Sequence, residues 1–116
     1  MSLVVIPLQP VPANSNLNPI VWTAANASNH YFDNTSQKVL LLFKNTDSGS
    51  HSAVVSSVAD PKGRTGDMTI ANAGSDVIAV AGTFPAPAWN QVGTNLVNVT
   101  SPVVVTGCYF AALQLP

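Results

Sequence analysis

The stretch KVLLLFKNTDSGSHSAVVSSVA, residues 38–59, reads as two strands around one turn. An apolar run from Val39 to Phe43 gives way to Thr46-Asp47-Ser48-Gly49, and the valine-rich run Ser52–Ala59 follows. Valine and phenylalanine suit a pleated surface. Asp opens a turn by bonding its own backbone, and Gly supplies the positive φ that other residues avoid. No 3.6-residue apolar stripe runs through the stretch, so a helix is the wrong reading.

The same unit recurs outward in both directions. Strands are expected at Leu3–Ile6, Ile20–Ala25, Lys38–Lys44, Ser52–Ala59 and Asp67–Asn72, then at Val77–Ala81, Leu96–Thr100 and Val103–Leu115. Turn signals divide them at Asp60-Pro61-Lys62-Gly63, Ala73-Gly74-Ser75-Asp76 and Thr100-Ser101-Pro102. Sixteen valines, nine threonines and eight aromatics favour strands, and the absence of glutamate removes a strong helix former. The expected fold is all-β: a single β-sandwich or small barrel of seven or eight short antiparallel strands. With 116 residues the chain fits one domain.

Composition narrows the function. Charged residues make up 8% of the chain, against a typical value of about 25%. The net charge is −1, and the four basic residues, Lys38, Lys44, Lys62 and Arg64, form no cluster. Nucleic-acid binding draws its affinity from neutralised phosphates, so no nucleic-acid partner is expected. No membrane partner is expected either, because Pro7 stops the apolar stretch Leu3–Ile6 far short of a span. No basic segment precedes Leu3–Ile6, so a secretory signal is not expected, and the sequons at Asn26, Asn34 and Asn98 carry little weight. Cys108 is the single cysteine, which leaves no intramolecular disulfide to form.

Residues 1–19 read as an arm apart from the sandwich of residues 20–116. Pro7, Pro10, Pro12 and Pro19, with Asn14, Asn16 and Asn18, favour an extended, polyproline-like segment. Leu3, Val4, Val5 and Ile6 are too apolar to stand in water. They are expected to dock on a neighbouring chain as an added edge strand. The competing reading makes Leu3–Ile6 the first strand of the chain's own sandwich.

No catalytic motif emerges. Gly-x-Ser-x-Gly, a phosphate cradle and His-Glu-x-x-His are all missing from the sequence. His51 follows Ser48-Gly49-Ser50 and reads as a hairpin residue, while His30, beside Tyr31 and Phe32, reads as a partly buried ring. Asn45–Gly49 looks faintly like a calcium loop but lacks its closing Glu, and Cys108 reads as a small core residue. Neither cofactor, metal nor enzymatic activity is expected. Gly63-Arg64-Thr65-Gly66 reads as an ordered turn. In Phe84-Pro85-Ala86-Pro87-Ala88-Trp89-Asn90-Gln91, Trp89 is either a binding anchor or a cap on the core.

The turn stretches Asp60–Asp67 and Ala73–Asp76, then Phe84–Gln91 and the ending Val103–Leu115, carry a resemblance, as does Asn29–Asn34 followed by Val39–Asn45. Over residues 19–115 the chain resembles small β-rich proteins encoded beside the major capsid protein in tailed bacteriophages. The resemblance implies a head decoration, or cement, protein that binds the outside of the assembled capsid and stabilises it. Its partner would be the major capsid protein, with neighbouring copies or a homo-oligomer on the shell. The chain would be made in the host cytoplasm and end on the virion exterior. It supplies no catalytic residues and leaves the docking surface unmapped; Leu3, Val4, Val5, Ile6 and Trp89 are candidates on physical grounds alone. The alternatives are a head–tail junction or head-fibre component, and a β-sandwich that binds a glycan through Trp89.

Overall fold

A computed structural model describes residues 4–13, 15, 19–58, 66–91 and 93–116. The elements in chain order begin with β1 (Val4–Val5), β2 (Leu8–Pro10), β3 (Thr23–Ala24), β4 (His30–Asp33) and β5 (Val39–Asn45). They continue with β6 (His51–Val55), β7 (Met68–Asn72), β8 (Val77–Ala81), α1 (Ala86–Trp89), β9 (Leu96–Thr100) and β10 (Cys108–Gln114). The strands form two mixed sheets. The first has the order β1-β4-β9-β6-β7; the second runs β2-β10-β5-β8, with β3 also on β10. One core cluster draws residues from both sheets, an arrangement compatible with an all-β sandwich.

β5 shows how the sequence builds this core. Alternation turns Val39, Leu41 and Phe43 inward, where each is 0% exposed. From β10, Phe110 stacks on Phe43 at 5.3 Å between centroids, and from β4 His30 meets Phe110 at 5.1 Å. Phe32 and Phe84 complete the aromatic set at 5.5 Å. Burying each phenylalanine contributes roughly 2–3 kcal/mol.

Expected strands become β1, β3 and β5–β10, with several differences: Ile20–Ala25 narrows to Thr23–Ala24, and Ser56–Val58 of the expected Ser52–Ala59 are not strand. Only Cys108–Gln114 of the expected Val103–Leu115 is strand; Val103–Gly107 is a loop. β2 and β4 were not foreseen, and the expectation of purely antiparallel strands is corrected by two parallel pairings. Val4 pairs with His30 and Val5 with Tyr31; Leu8, Gln9 and Pro10 pair with Ala112, Leu113 and Gln114.

Those pairings also correct the separate arm for residues 4–10. The segment runs along the edge of the first sheet, buries Ile6 to 1% exposure, and passes to the edge of the second. Pro7 falls between the two ladders and Pro10 ends the second, where a missing N–H is tolerated. The Gln9 side chain then clamps the returning chain: its Nε2 donates to the Val21 carbonyl at 2.7 Å, and its Oε1 accepts the Val21 N–H at 2.8 Å. On the opposite flank, residues 73–76 carry the chain from β7 to β8, again edge to edge.

Candidate functional site

The residues expected to bind a partner are mostly occupied within the chain. Val4 and Val5 form β1, Ile6 is in the core, and Leu3 lies outside the described residues. Trp89 is half-buried and packs edge-on against Phe84 at 5.6 Å. Its neighbour Asn90 accepts a hydrogen bond from Asn34 Nδ2 at 2.7 Å, and Asn34 also donates to the Phe84 carbonyl. Trp89 is therefore a cap on one end of the core. Residues 59–65, which hold most of the Gly63–Gly66 turn, lie outside the described residues.

The titratable groups do not converge. His51 Nε2 lies 3.0 Å from Asp47 Oδ2 beside the β5–β6 hairpin. The His51 hydrogen bond, with help from the Ser48 N–H, holds the Asp47 carboxyl below its ordinary range. His30 is buried; its Nε2 accepts the Asn26 N–H at 2.9 Å, which places the ring proton on Nδ1. Burial holds its pKa below the usual 6.5 against a smaller upward pull from the Val4 backbone. Burial likewise pushes the Cys108 thiol up, with the Asp47 charge adding to the effect. Among the described residues, no three His, Cys, Asp or Glu side chains are grouped to hold a metal ion, and no concave pocket is present. Among the described residues, no helix is long and apolar enough to cross a membrane.

What remains is the outer face of the second sheet. Alternation along β5 turns Leu40, Leu42 and Lys44 away from the core, and the register extends each into a row. Ile78, Lys44 and Tyr109 form one row; Val80, Leu42 and Ala111 form the next; Leu40 stands beside Leu113 in the third. Leu42 and Ala111 are themselves buried, yet they stand outside the core cluster, so this face carries apolar packing of its own. Towards β8 it opens to solvent: Ile78 is 47% and Val80 60% exposed.

The one charge in these rows is muted. The Lys44 ammonium lies 5.4 Å from the centre of the Trp22 ring and 5.9 Å from that of Tyr109. Two aromatic faces stabilise the cation and cover its stem with carbon. The rows are thus apolar and carry one charge, and their exposed part lies towards β8. Such a patch is what partner surfaces look like, whereas scattered single apolar residues need no explanation.

No family model, curated protein or solved structure matches this chain. The assignment of the site therefore rests on its own geometry. One sequence signal could have found it. Val39-Leu40-Leu41-Leu42-Phe43 is apolar without a break, the pattern of a strand covered on both faces and not of one that faces water.

Proposed function

We propose that the chain is a virion structural protein: a head decoration protein that binds the outside of an assembled capsid and stabilises it. The observation that carries this reading is the apolar outer face of the second sheet, where Leu40 and Leu113 are partly exposed and Ile78 and Val80 exposed. The resemblance of residues 19–115 to phage decoration proteins supports it, and so does a composition with 8% charged residues. A freely diffusing domain keeps a more charged surface; a chain held in an assembly by apolar and hydrogen-bonded contacts does not need one. The role is non-enzymatic, and the partner is the major capsid protein.

Stabilisation follows from linkage. A protein that binds the assembled shell and not the dissociated subunit stabilises the shell by about 2.7 kcal/mol per site at a hundredfold excess over Kd. Repetition over equivalent sites multiplies that effect. Apolar contacts are also insensitive to screening, so binding persists at high salt.

Co-sedimentation with capsids that lack the protein tests the reading. Binding in hundreds of copies, retained in high salt and lost with Leu113→Glu, is the expected result. A stoichiometry near a dozen would move the protein to the head–tail junction, and no binding to capsids would end the proposal. Packing of Trp89 on Phe84 disfavours the glycan-binding alternative, because the ring is engaged at the end of the core.

A further inference from the structure

The edge of the second sheet at β8 lacks the protection that other edges have. β1 is two residues long and β2 ends at Pro10, while β7 turns Thr69 and Ala71 to solvent. β8 is Val77-Ile78-Ala79-Val80-Ala81, with no charge, proline or polar side chain. An edge of this kind is a template for another strand.

The ladder shows which backbone groups of β8 have no partner among the described residues. The Thr46 N–H donates to the Gly107 carbonyl, and the Leu115 N–H donates to the Lys38 carbonyl, both at 2.8 Å. These bonds bracket the β5–β10 ladder and set its phase. Residues 40, 42 and 44 turn their backbone groups to β10, and residues 41, 43 and 45 turn theirs to β8. The register then commits Val77, Ala79 and Ala81 to β5. The N–H and C=O groups of Ile78 and Val80 point outward from the edge.

We infer that β8 is a self-pairing edge, on which two copies of this chain join their second sheets antiparallel about a twofold axis at Ala79. A second strand can satisfy the whole row of outward N–H and C=O groups at once, and this one is complementary to itself. In the register centred on Ala79, Ile78 lies opposite Val80 of the partner subunit and Val80 opposite the partner's Ile78. The free backbone groups of each residue then meet those of the other. The same pairing sets β-branched side chains against one another on the outer face, the cross-strand combination that stabilises antiparallel pairs. Small Ala79 meets its own copy where the chains approach closest.

Charge permits the arrangement. Asp76, the nearest acidic residue before the strand, falls opposite the partner's Gly82, and Lys44 is held under Trp22 and Tyr109. Among the described residues, the pairing brings no like charges together. A twofold pairing of one patch with itself is also the commonest way soluble chains associate. The joined sheets would present the outer faces of both copies side by side. The inference does not depend on the capsid reading, since it concerns the purified chain alone.

Sedimentation equilibrium and oxidative cross-linking of the full chain test it. At tens of micromolar the protein should sediment at twice its 12.0 kDa mass. Val80→Lys, at an exposed position, should give a monomer with an unchanged far-UV spectrum and melting temperature. Ala79→Cys should form a covalent dimer on oxidation, and Val77→Cys should not, because Val77 lies opposite the partner's Ala81. A monomeric wild type would overturn the inference, as would a dimer that tolerates Val80→Lys or cross-links through Val77→Cys in place of Ala79→Cys. Loss of capsid binding by a protein that still dimerises would count against the proposed function and leave this pairing standing.

Discussion

The Asn72 side-chain amide donates to the Val77 carbonyl at 2.8 Å, linking the end of β7 in one sheet to the start of β8 in the other. The same Nδ2 reaches the Phe43 carbonyl at 2.9 Å, and Oδ1 accepts the Gly74 N–H at 3.0 Å. Asn45 extends the network, donating to the carbonyls of Gly49 and Asn72 and accepting the Asp47 N–H. Both side chains are buried, and their bonds to the Phe43 and Asn72 carbonyls and from the Gly74 N–H are made out of reach of water. Asn72→Ala should therefore cost about 3 kcal/mol, read from the midpoint of urea unfolding at constant slope. A loss below about 1 kcal/mol would show that the network does not hold the corner.

Gly74 lies inside that corner at φ +96°, and a Cβ there would collide with the Asp47 carbonyl oxygen. The obstacle is backbone, which the Ser75 N–H also bonds at 2.6 Å, so it cannot swing aside. Gly74→Ala is expected to lose about 2–3 kcal/mol through strain and displacement of the turn. Gly49→Ala is the control: no atom lies within 4 Å of its Cβ position and its φ is not in the strained range, so its melting temperature should stay close to that of the wild type.

Where the chain doubles back locally, its sequence was readable. Val77–Ala81 and Leu96–Thr100 are strands at the expected bounds. Local turn chemistry and period-2 alternation carry that information. β2 and the parallel pairing of β1 were not readable, because they depend on β4 and β10, far along the chain. Pro10 marks what cannot be a central strand, and it does not announce an edge. The outer face was hidden for a related reason. Leu40 and Leu42 look like core residues until Val39, Leu41 and Phe43 are seen to fill the core without them. For Trp89 the sequence leaves an anchor and a cap equally open, and the T-shaped contact with Phe84 shows the ring packed on the core.

Because Ile6 is 1% exposed within the chain's own core, the N-terminal segment has structural consequences that a free strap would not. Ile6→Ala removes buried methylenes from the cluster that includes Phe32 and Phe110, and should cost about 3 kcal/mol. Deletion of residues 1–11 also removes the β1 and β2 ladders, and the melting temperature should fall by more than 10 °C, given roughly 4–8 °C per kcal/mol for a small domain. Calorimetry of the truncated chain decides. An unchanged melting temperature would mean that the segment is not part of the folded unit in solution.

His30 makes stability depend on pH, and the sign follows from its surroundings. The ring is buried against Phe110, and its Nε2 accepts the Asn26 N–H, a bond that exists only while Nε2 is unprotonated. Burial holds the folded-state pKa below 6.5, so the unfolded chain binds a proton in a range where the folded chain does not. The contribution is fully present above pH 6.5. It is lost as pH falls from 6.5 towards the folded pKa, with a slope of at most about 1.4 kcal/mol per pH unit, and the loss stops once both states are protonated. The carboxylates act in a lower window: Asp47, with its pKa depressed, loses its contribution only as pH falls below about 3.8. Urea unfolding between pH 7.5 and 5 should show stability declining towards acid, and His30→Gln should flatten that part of the profile. An NMR titration of the ring resonances gives an independent reading. A His30 midpoint at or above 6.5 would contradict the buried neutral imidazole.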